Sequence, residues 1–163
     1  MSNYDVVIVG ACTAGTYFSN LLAKQGLKVL VIDKDEEENL SRRLDIFHFT
    51  HQSFQDYGLE EAKSGDEEFV RNFDLCYSKS ALDNYLKKSF LKVAVMHLPL
   101  FIKRLRKTAL ANGVTFRFGV SYDHLLYDEQ KRIKGIAAKS GEEIFARLVV
   151  DASGIPSVVR RSI

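Results

Sequence analysis

The chain has 163 residues, a formal net charge of +2 and 46% hydrophobic residues. That length can bury a core without disulfides or metals, and the composition excludes a disordered chain. No apolar run approaches the ~18 residues of a membrane span, two cysteines make no disulfide framework and point to a reducing cytoplasm, and so small a charge does not indicate nucleic acid.

Tyr4 to Val9 is apolar and β-branched, which predicts a strand buried on both faces. Gly10 to Gly15 is a turn of small residues. Thr16 to Gln25 has helical spacing with Phe18, Leu21 and Leu22 as its apolar stripe, and Gly26 stands where a helix C-terminal glycine belongs. Leu27 to Ile32 is a second apolar strand. Strand, turn, helix and strand form a βαβ unit, with parallel strands and a right-handed crossover expected.

Residues 35–95 follow a looser pattern and read as an insertion into the first sheet. Leu44 to Phe49 alternates like a strand, Thr50 to Tyr57 suits a short helix capped by Thr50, Phe69 to Tyr77 suits a strand and Ser80 to Phe90 a helix. Phe47, Phe49, Phe54, Tyr57, Phe69 and Phe73 are either ordinary core or the lining of a hydrophobic substrate surface. Acids dominate 35–68 (Glu36, Glu37 and Glu38 among them) and bases dominate 79–117 (Lys103, Arg104, Arg106 and Lys107 among them). Two solvated faces of opposite sign explain this, as does a basic surface that attracts an anionic ligand.

Pro99 to Asn112 is a helix whose stripe is Leu98, Ile102, Leu105 and Ala109, stopped by Asn112-Gly113. Val114 to Val120 alternates as a strand. Tyr122–Tyr127, Arg132–Ala138 and Glu142–Phe145 then make a β-meander, and Leu148-Val149-Val150 is a buried strand running into Asp151-Ala152-Ser153-Gly154. The predicted class is α/β: one Rossmann-like domain over 1–163, with a β-meander and with 35–95 inserted.

Gly10-Ala11-Cys12-Thr13-Ala14-Gly15 carries the chemistry. A dinucleotide fingerprint uses one glycine for the tight strand-to-helix turn, a second where backbone meets the pyrophosphate, and a third for close helix–strand packing. The pyrophosphate rests on N–H groups at the helix N-terminus. Here the first and third glycines are present and Cys12 holds the second place. The following strand ends in Asp33, a carboxylate able to accept hydrogen bonds from ribose hydroxyls and to repel a 2′-phosphate. Cys12 is either a small side chain tolerated in the turn or a thiol activated by the helix end. His48, His51, His97 and His124 have no metal-ligand spacing.

Tyr4-Asp5-Val6-Val7-Ile8-Val9-Gly10 through Val29-Leu30-Val31-Ile32-Asp33-Lys34 resembles the N-terminus of FAD-dependent oxidoreductases of the glutathione-reductase superfamily. Val150-Asp151-Ala152-Ser153-Gly154-Ile155-Pro156-Ser157-Val158-Val159-Arg160-Arg161 resembles the second fingerprint of one branch, which holds p-hydroxybenzoate-hydroxylase-like monooxygenases, geranylgeranyl reductases and flavin-dependent halogenases. The resemblance covers nearly the whole chain. It implies an FAD-binding βαβ sheet, a meander and part of a substrate domain within 35–95. It implies that Gly10, Ala11, Cys12, Thr13, Ala14 and Gly15 line the FAD pyrophosphate and that Asp33, with Lys34 beside it, holds the adenosine ribose. Arg42 or Arg43 approaches the cofactor, Val120 presents backbone to the adenine, and Asp151, Ala152, Ser153 and Gly154 form the turn beside adenosine and pyrophosphate. Many relatives carry a polar residue, often Arg, where this chain has Leu98, and they continue past Ile163 into a Gly-Asp motif and a substrate sheet. The implied reaction passes electrons from NAD(P)H through the flavin to a small-molecule substrate, a hydrophobic one among the options. Walls for the flavin and substrate are then expected from a further C-terminal segment or a second copy. A stand-alone nucleotide-binding module and an inactive fragment are the alternatives.

Overall fold

The computed structural model describes residues 3–40, 46–74, 76–80, 85–89, 92–155 and 157–163. The chain divides into two units, one made of 1–41 with 102–163 and the other of 42–101.

The first unit is built on a six-stranded mixed sheet. Its strands are β1 (Tyr4–Val9), β2 (Val29–Ile32), β8 (Thr115–Arg117), β9 (Tyr122–Tyr127), β10 (Ile133–Ala138) and β11 (Glu143–Asp151), in the order β8-β2-β1-β11-β10-β9. β1 pairs in parallel with β2 on one side and with the end of β11 on the other, while β2 pairs in parallel with β8. Val7, Ile8, Val29, Leu30, Val31 and Ile32 are fully buried, as continuous apolar runs in a covered sheet require. On one face Val7, Val9, Leu30 and Ile32 pack with Tyr122, Leu125, Ile136 and Ile144 from the meander.

Helix α1 (Thr13–Lys24) connects β1 to β2 and ends as expected, with Gly26 at φ +80° and its N–H bonded to the Ala23 carbonyl. Its buried face differs from the expected stripe. Gly15, Thr16, Ser19 and Asn20 face inward, whereas Phe18 and Leu21 are 39% and 38% exposed. Close approach of the helix to the sheet admits only small side chains, so the larger ones turn outward. The buried hydroxyls are satisfied locally: Thr16 Oγ1 donates to the Ala11 carbonyl and Ser19 Oγ to the Thr16 carbonyl.

The meander forms where expected, with one difference. Glu142–Phe145 and Leu148–Val150 are two halves of β11, whose beginning pairs antiparallel with β10 and whose end pairs parallel with β1. β8 is also shorter than the predicted Val114–Val120. Beyond Arg117 the chain bends over the loop after β2, with the Gly119 and Val120 N–H groups bonded to the Asp35 and Asp33 carbonyls.

The second unit holds β3 (Ile46–Thr50), α2 (His51–Asp56), β4 (Phe69–Phe73), β5 (Cys76–Ser80), β6 (Tyr85–Ser89) and β7 (Val93–His97). β3, β7 and β4 form an antiparallel sheet in that order, and β5 and β6 pair as an antiparallel ribbon. Thr50 caps α2 as predicted, accepting from the Ser53 N–H. The helix expected over Ser80–Phe90 is replaced by β6, whose backbone groups pair with β5. Phe47 stacks on buried Phe101, Phe49 meets Phe101 at a tilt and buried Phe54 edge-on, and Phe47 and Phe49 are themselves half-buried. Helix α3 (Leu98–Ala111) follows β7, and its predicted stripe of Leu98, Ile102, Leu105 and Ala109 is buried throughout. Among the described residues no helix is long and apolar enough to cross a membrane.

Candidate functional site

The carboxyl ends of β1, β2 and β11 meet at one edge of the parallel sheet, where the connection from β1 leads to β2 on one side and β11 lies on the other. Such a switch point is where open α/β sheets place ligands.

Gly10 makes the turn out of β1 at φ +112°, and a Cβ there would lie 2.4 Å from the Ala152 carbonyl oxygen. Gly15 is needed for space: its Cβ would lie 1.9 Å from the Gly10 carbonyl oxygen and 3.2 Å from Ala152 Cβ. The Ala152 N–H also donates to the Val9 carbonyl at 2.9 Å. The two fingerprints, far apart in sequence, are therefore packed backbone to backbone.

Cys12 takes an extended conformation (φ −77°, ψ −166°) at the N-cap of α1 and is exposed. Its φ is ordinary for any L-residue, so this place imposes no need for glycine. Its side chain does not cap the helix, and no acid stands in the first turn. The first-turn N–H groups of Thr13, Ala14 and Gly15 thus point their dipoles at a position open to an anion.

Asp33 follows β2, and both its oxygens hold backbone: Oδ2 accepts from the Ala11 N–H at 2.7 Å and Oδ1 from the Asp35 N–H at 3.0 Å. This ties the glycine turn to the loop after β2 and leaves each carboxylate oxygen further lone-pair capacity. Lys34 points to solvent, its Nζ 3.2 Å from Asp35 Oδ1. Val120 packs against the meander-side core, and its N–H serves the Asp33 carbonyl. Arg42 and Arg43 lie outside the described residues. Leu98 is buried.

Asp151 is spent on the second turn. Its carboxylate accepts from the Ser153 N–H and Oγ, from Ser157 Oγ and from the Arg160 N–H. Partial burial raises its pKa, but the hydrogen bonds from Ser153, Ser157 and Arg160 outweigh that and bring it from 3.8 down to about 2. Ser153 Oγ in turn accepts from the Val158 N–H, and Gly154 stands exposed at φ +79°. Ser157 and Arg160 are thus structural partners of Asp151 that a reading confined to 151–154 passes over. Their i+6 and i+9 spacing from the aspartate, inside the quoted fingerprint, is the signal for them.

The elements fit a dinucleotide with a diphosphate: an uncapped helix end for the anion, a close-packed glycine turn, and a carboxylate at the end of the second strand. The family model described as an FAD binding domain matches residues 3–163. Digeranylgeranylglycerophospholipid reductase of Haloferax volcanii is 30% identical over 158 residues, which are 93% of this chain and 36% of that protein. A 1H-pyrrole-2-carbonyl-[peptidyl-carrier protein] brominase of Pseudoalteromonas luteoviolacea is 27% identical over 93% of this chain and 38% of its own length. The solved structure of a geranylgeranyl bacteriochlorophyll reductase-like protein from Thermoplasma acidophilum superposes on 99% of this chain and 42% of its own, with a TM-score of 0.82 at 18% identity. The chain spans well under half the length of these relatives. With the family model matching nearly every residue and both fingerprints joined at the sheet edge, the chain belongs to the FAD-binding domain family.

Proposed function

We propose that this chain forms the adenosine and pyrophosphate half of the FAD site in a flavin-dependent oxidoreductase, within the p-hydroxybenzoate-hydroxylase and geranylgeranyl-reductase-like branch of the glutathione-reductase superfamily. The observation that carries this is the packing of Gly10 and Gly15 against Ala152 in front of an uncapped α1 N-terminus. The N–H groups of Thr13, Ala14 and Gly15 receive the pyrophosphate. The backbone of Gly10, Ala11 and Cys12 lines the approach, and the exposed Cys12 side chain needs no place in it. Asp33 receives the adenosine ribose hydroxyls. Asp151 shapes the second turn, so Ala152, Ser153 and Gly154 meet the ligand through backbone.

Bound FAD supplies two-electron redox chemistry between NAD(P)H and a substrate, by reduction of a double bond or by oxygen activation. The relatives support a choice among flavin reactions, one being a phospholipid reductase and another a brominase. The unit 42–101 supplies part of the substrate domain. Within it Phe54 is buried core, whereas Phe47 and Phe49 pack on Phe101 and stay half-buried.

Purified protein loaded with FAD and passed through gel filtration tests the reading. A retained flavin absorption band is expected, and colourless protein that ignores added FAD overturns it. NAD(P)H oxidation by the holoprotein then distinguishes an enzyme from a binding module.

A further inference from the structure

We propose that Arg106 is a positioning residue for the adenosine subsite, acting from α3 through Glu37 and the loop after β2 on the Asp33 carboxylate. This rests on the reading of Asp33 as the ribose ligand.

Arg106 is 7% exposed, an unusual burial for a guanidinium. Its Nη2 donates to Glu37 Oε1 at 2.5 Å, and its guanidinium lies 5.4 Å from the Phe118 ring centroid. Phe118 is held in turn by stacking on Phe116. Glu37 opens the short 3₁₀ turn Glu37–Asn39, whose Asn39 N–H bonds the Glu36 carbonyl. Two residues earlier, Asp35 donates its N–H to Asp33 Oδ1 and accepts from Gly119 N–H through its carbonyl. The other Asp33 oxygen holds the Ala11 N–H of the glycine turn. Polar contacts thus hold the acidic loop at both ends, Arg106 on Glu37 and the Asp35 N–H on the Asp33 carboxylate, and the short covalent stretch Asp35–Glu37 joins them.

The charge pattern gives that cation a reason to be there. Asp33, Asp35, Glu36, Glu37 and Glu38 crowd one loop beside a site read as binding a diphosphate, and such a run by itself repels the ligand. A buried guanidinium paired with Glu37 at its base fixes the loop and offsets one of those charges at short range, where salt screens least. Packing on Phe118 adds orientation, because a planar guanidinium stacks where an ammonium does not.

The test is FAD affinity by quenching of flavin fluorescence, read on the full chain with melting temperature as the check on folding. Arg106→Met is expected to weaken FAD binding about tenfold, the scale of one lost charge-assisted hydrogen bond. Arg106→Lys, which keeps charge without the fork, is expected to recover part of that loss. A positioning role has a further signature that loss of packing lacks. In an Asp33→Asn background, where the ribose carboxylate is already gone, Arg106→Met is expected to change affinity by less than about twofold. Multiplying losses in the double variant overturn the proposal, as does a folded Arg106→Met protein that binds FAD within about twofold of wild type. Should Arg106→Met fail to fold, Glu37→Gln carries the test from the half-exposed partner, and unchanged affinity there overturns the proposal equally. Failure of the wild-type chain to bind FAD is seen before any substitution and overturns the functional reading, with this inference resting on it.

Discussion

At Gly15 local preference and tertiary contact pull in opposite directions. Ala is favoured over Gly in a helix interior by about 1 kcal/mol, and Gly15 lies inside α1. Its Cβ, however, would stand 1.9 Å from the Gly10 carbonyl oxygen, a backbone atom that cannot swing aside. Gly15→Ala is therefore expected to destabilise the protein by about 2 kcal/mol or more, measured by urea denaturation. Cys12 gives the opposite case. Its backbone is ordinary and its side chain exposed, so Cys12→Gly is expected to leave FAD affinity within about twofold and stability within about 0.5 kcal/mol. A large loss of binding would show that the thiol takes a direct part. Asp151 supplies a pH dependence. Its folded pKa of about 2 lies below the unfolded 3.8, so it contributes stability that is full above about pH 4 and fades as pH falls towards 2. The stability gap between wild type and Asp151→Asn is expected to close over that interval in melting curves taken at stepped pH; a constant gap would refute the assignment.

β11 is the element on which the first unit turns, because it joins the meander to the parallel sheet within nine residues. Gly135 on β10 makes that junction feasible. Its φ is +153°, a Cβ would lie 2.1 Å from the Ile144 carbonyl oxygen, and the pairing with β9 shifts register beside it. Gly135→Ala is expected to loosen β10 from β11, seen as faster amide exchange over Glu143–Phe145 while the amides of Val6–Val9 keep their protection. The double role of β11 is why its two halves read as separate strands: polar alternation marks the half beside β10 and a continuous apolar run marks the half beside β1. The first βαβ unit, α3 and the meander were legible because their periodicity answers to burial within one layer. The buried face of α1 departs from the apolar stripe because close helix–sheet contact selects size over hydrophobicity, which Phe18 and Leu21 do not reveal. The continuous apolar run Val93 to Met96 is the signal for β7, and the β6 segment suits a helix equally because Tyr85, Leu86 and the lysines favour neither state in so short a stretch. At the candidate site, the turn at Gly10 and the close packing at Gly15 are legible from turn chemistry, and the position of Asp33 from the end of the second apolar strand. The anchoring of Asp151 by Ser157 and Arg160 depended on how the later turn folds back.

Over the whole molecule, the two fingerprints pack backbone against backbone and the Asp33 carboxylate holds the Ala11 N–H, and these contacts fix the geometry of the proposed adenosine subsite. A ligand that binds the folded state alone stabilises it by about 2.7 kcal/mol at a hundredfold excess over Kd. In a domain of this size each kcal/mol raises the melting temperature by about 2–4 °C, so FAD at that excess is expected to raise it by about 5–10 °C. ADP carries the same adenosine and pyrophosphate. With the α1 N-terminus and Asp33 as the principal contacts, it is expected to give most of the shift at its own hundredfold excess. FMN lacks the adenylate and should give less than about 2 °C at the concentrations where FAD saturates. Differential scanning fluorimetry at several ligand concentrations, with an intrinsic-fluorescence readout clear of flavin emission, measures all three. Equal shifts from FMN and FAD would move the binding energy to the isoalloxazine end and contradict the placement of the ligand along β1, α1 and β2. Equal shifts from ADP and FAD would show that the 163 residues grip the dinucleotide almost wholly by its adenylate, leaving the flavin ring to groups beyond those described.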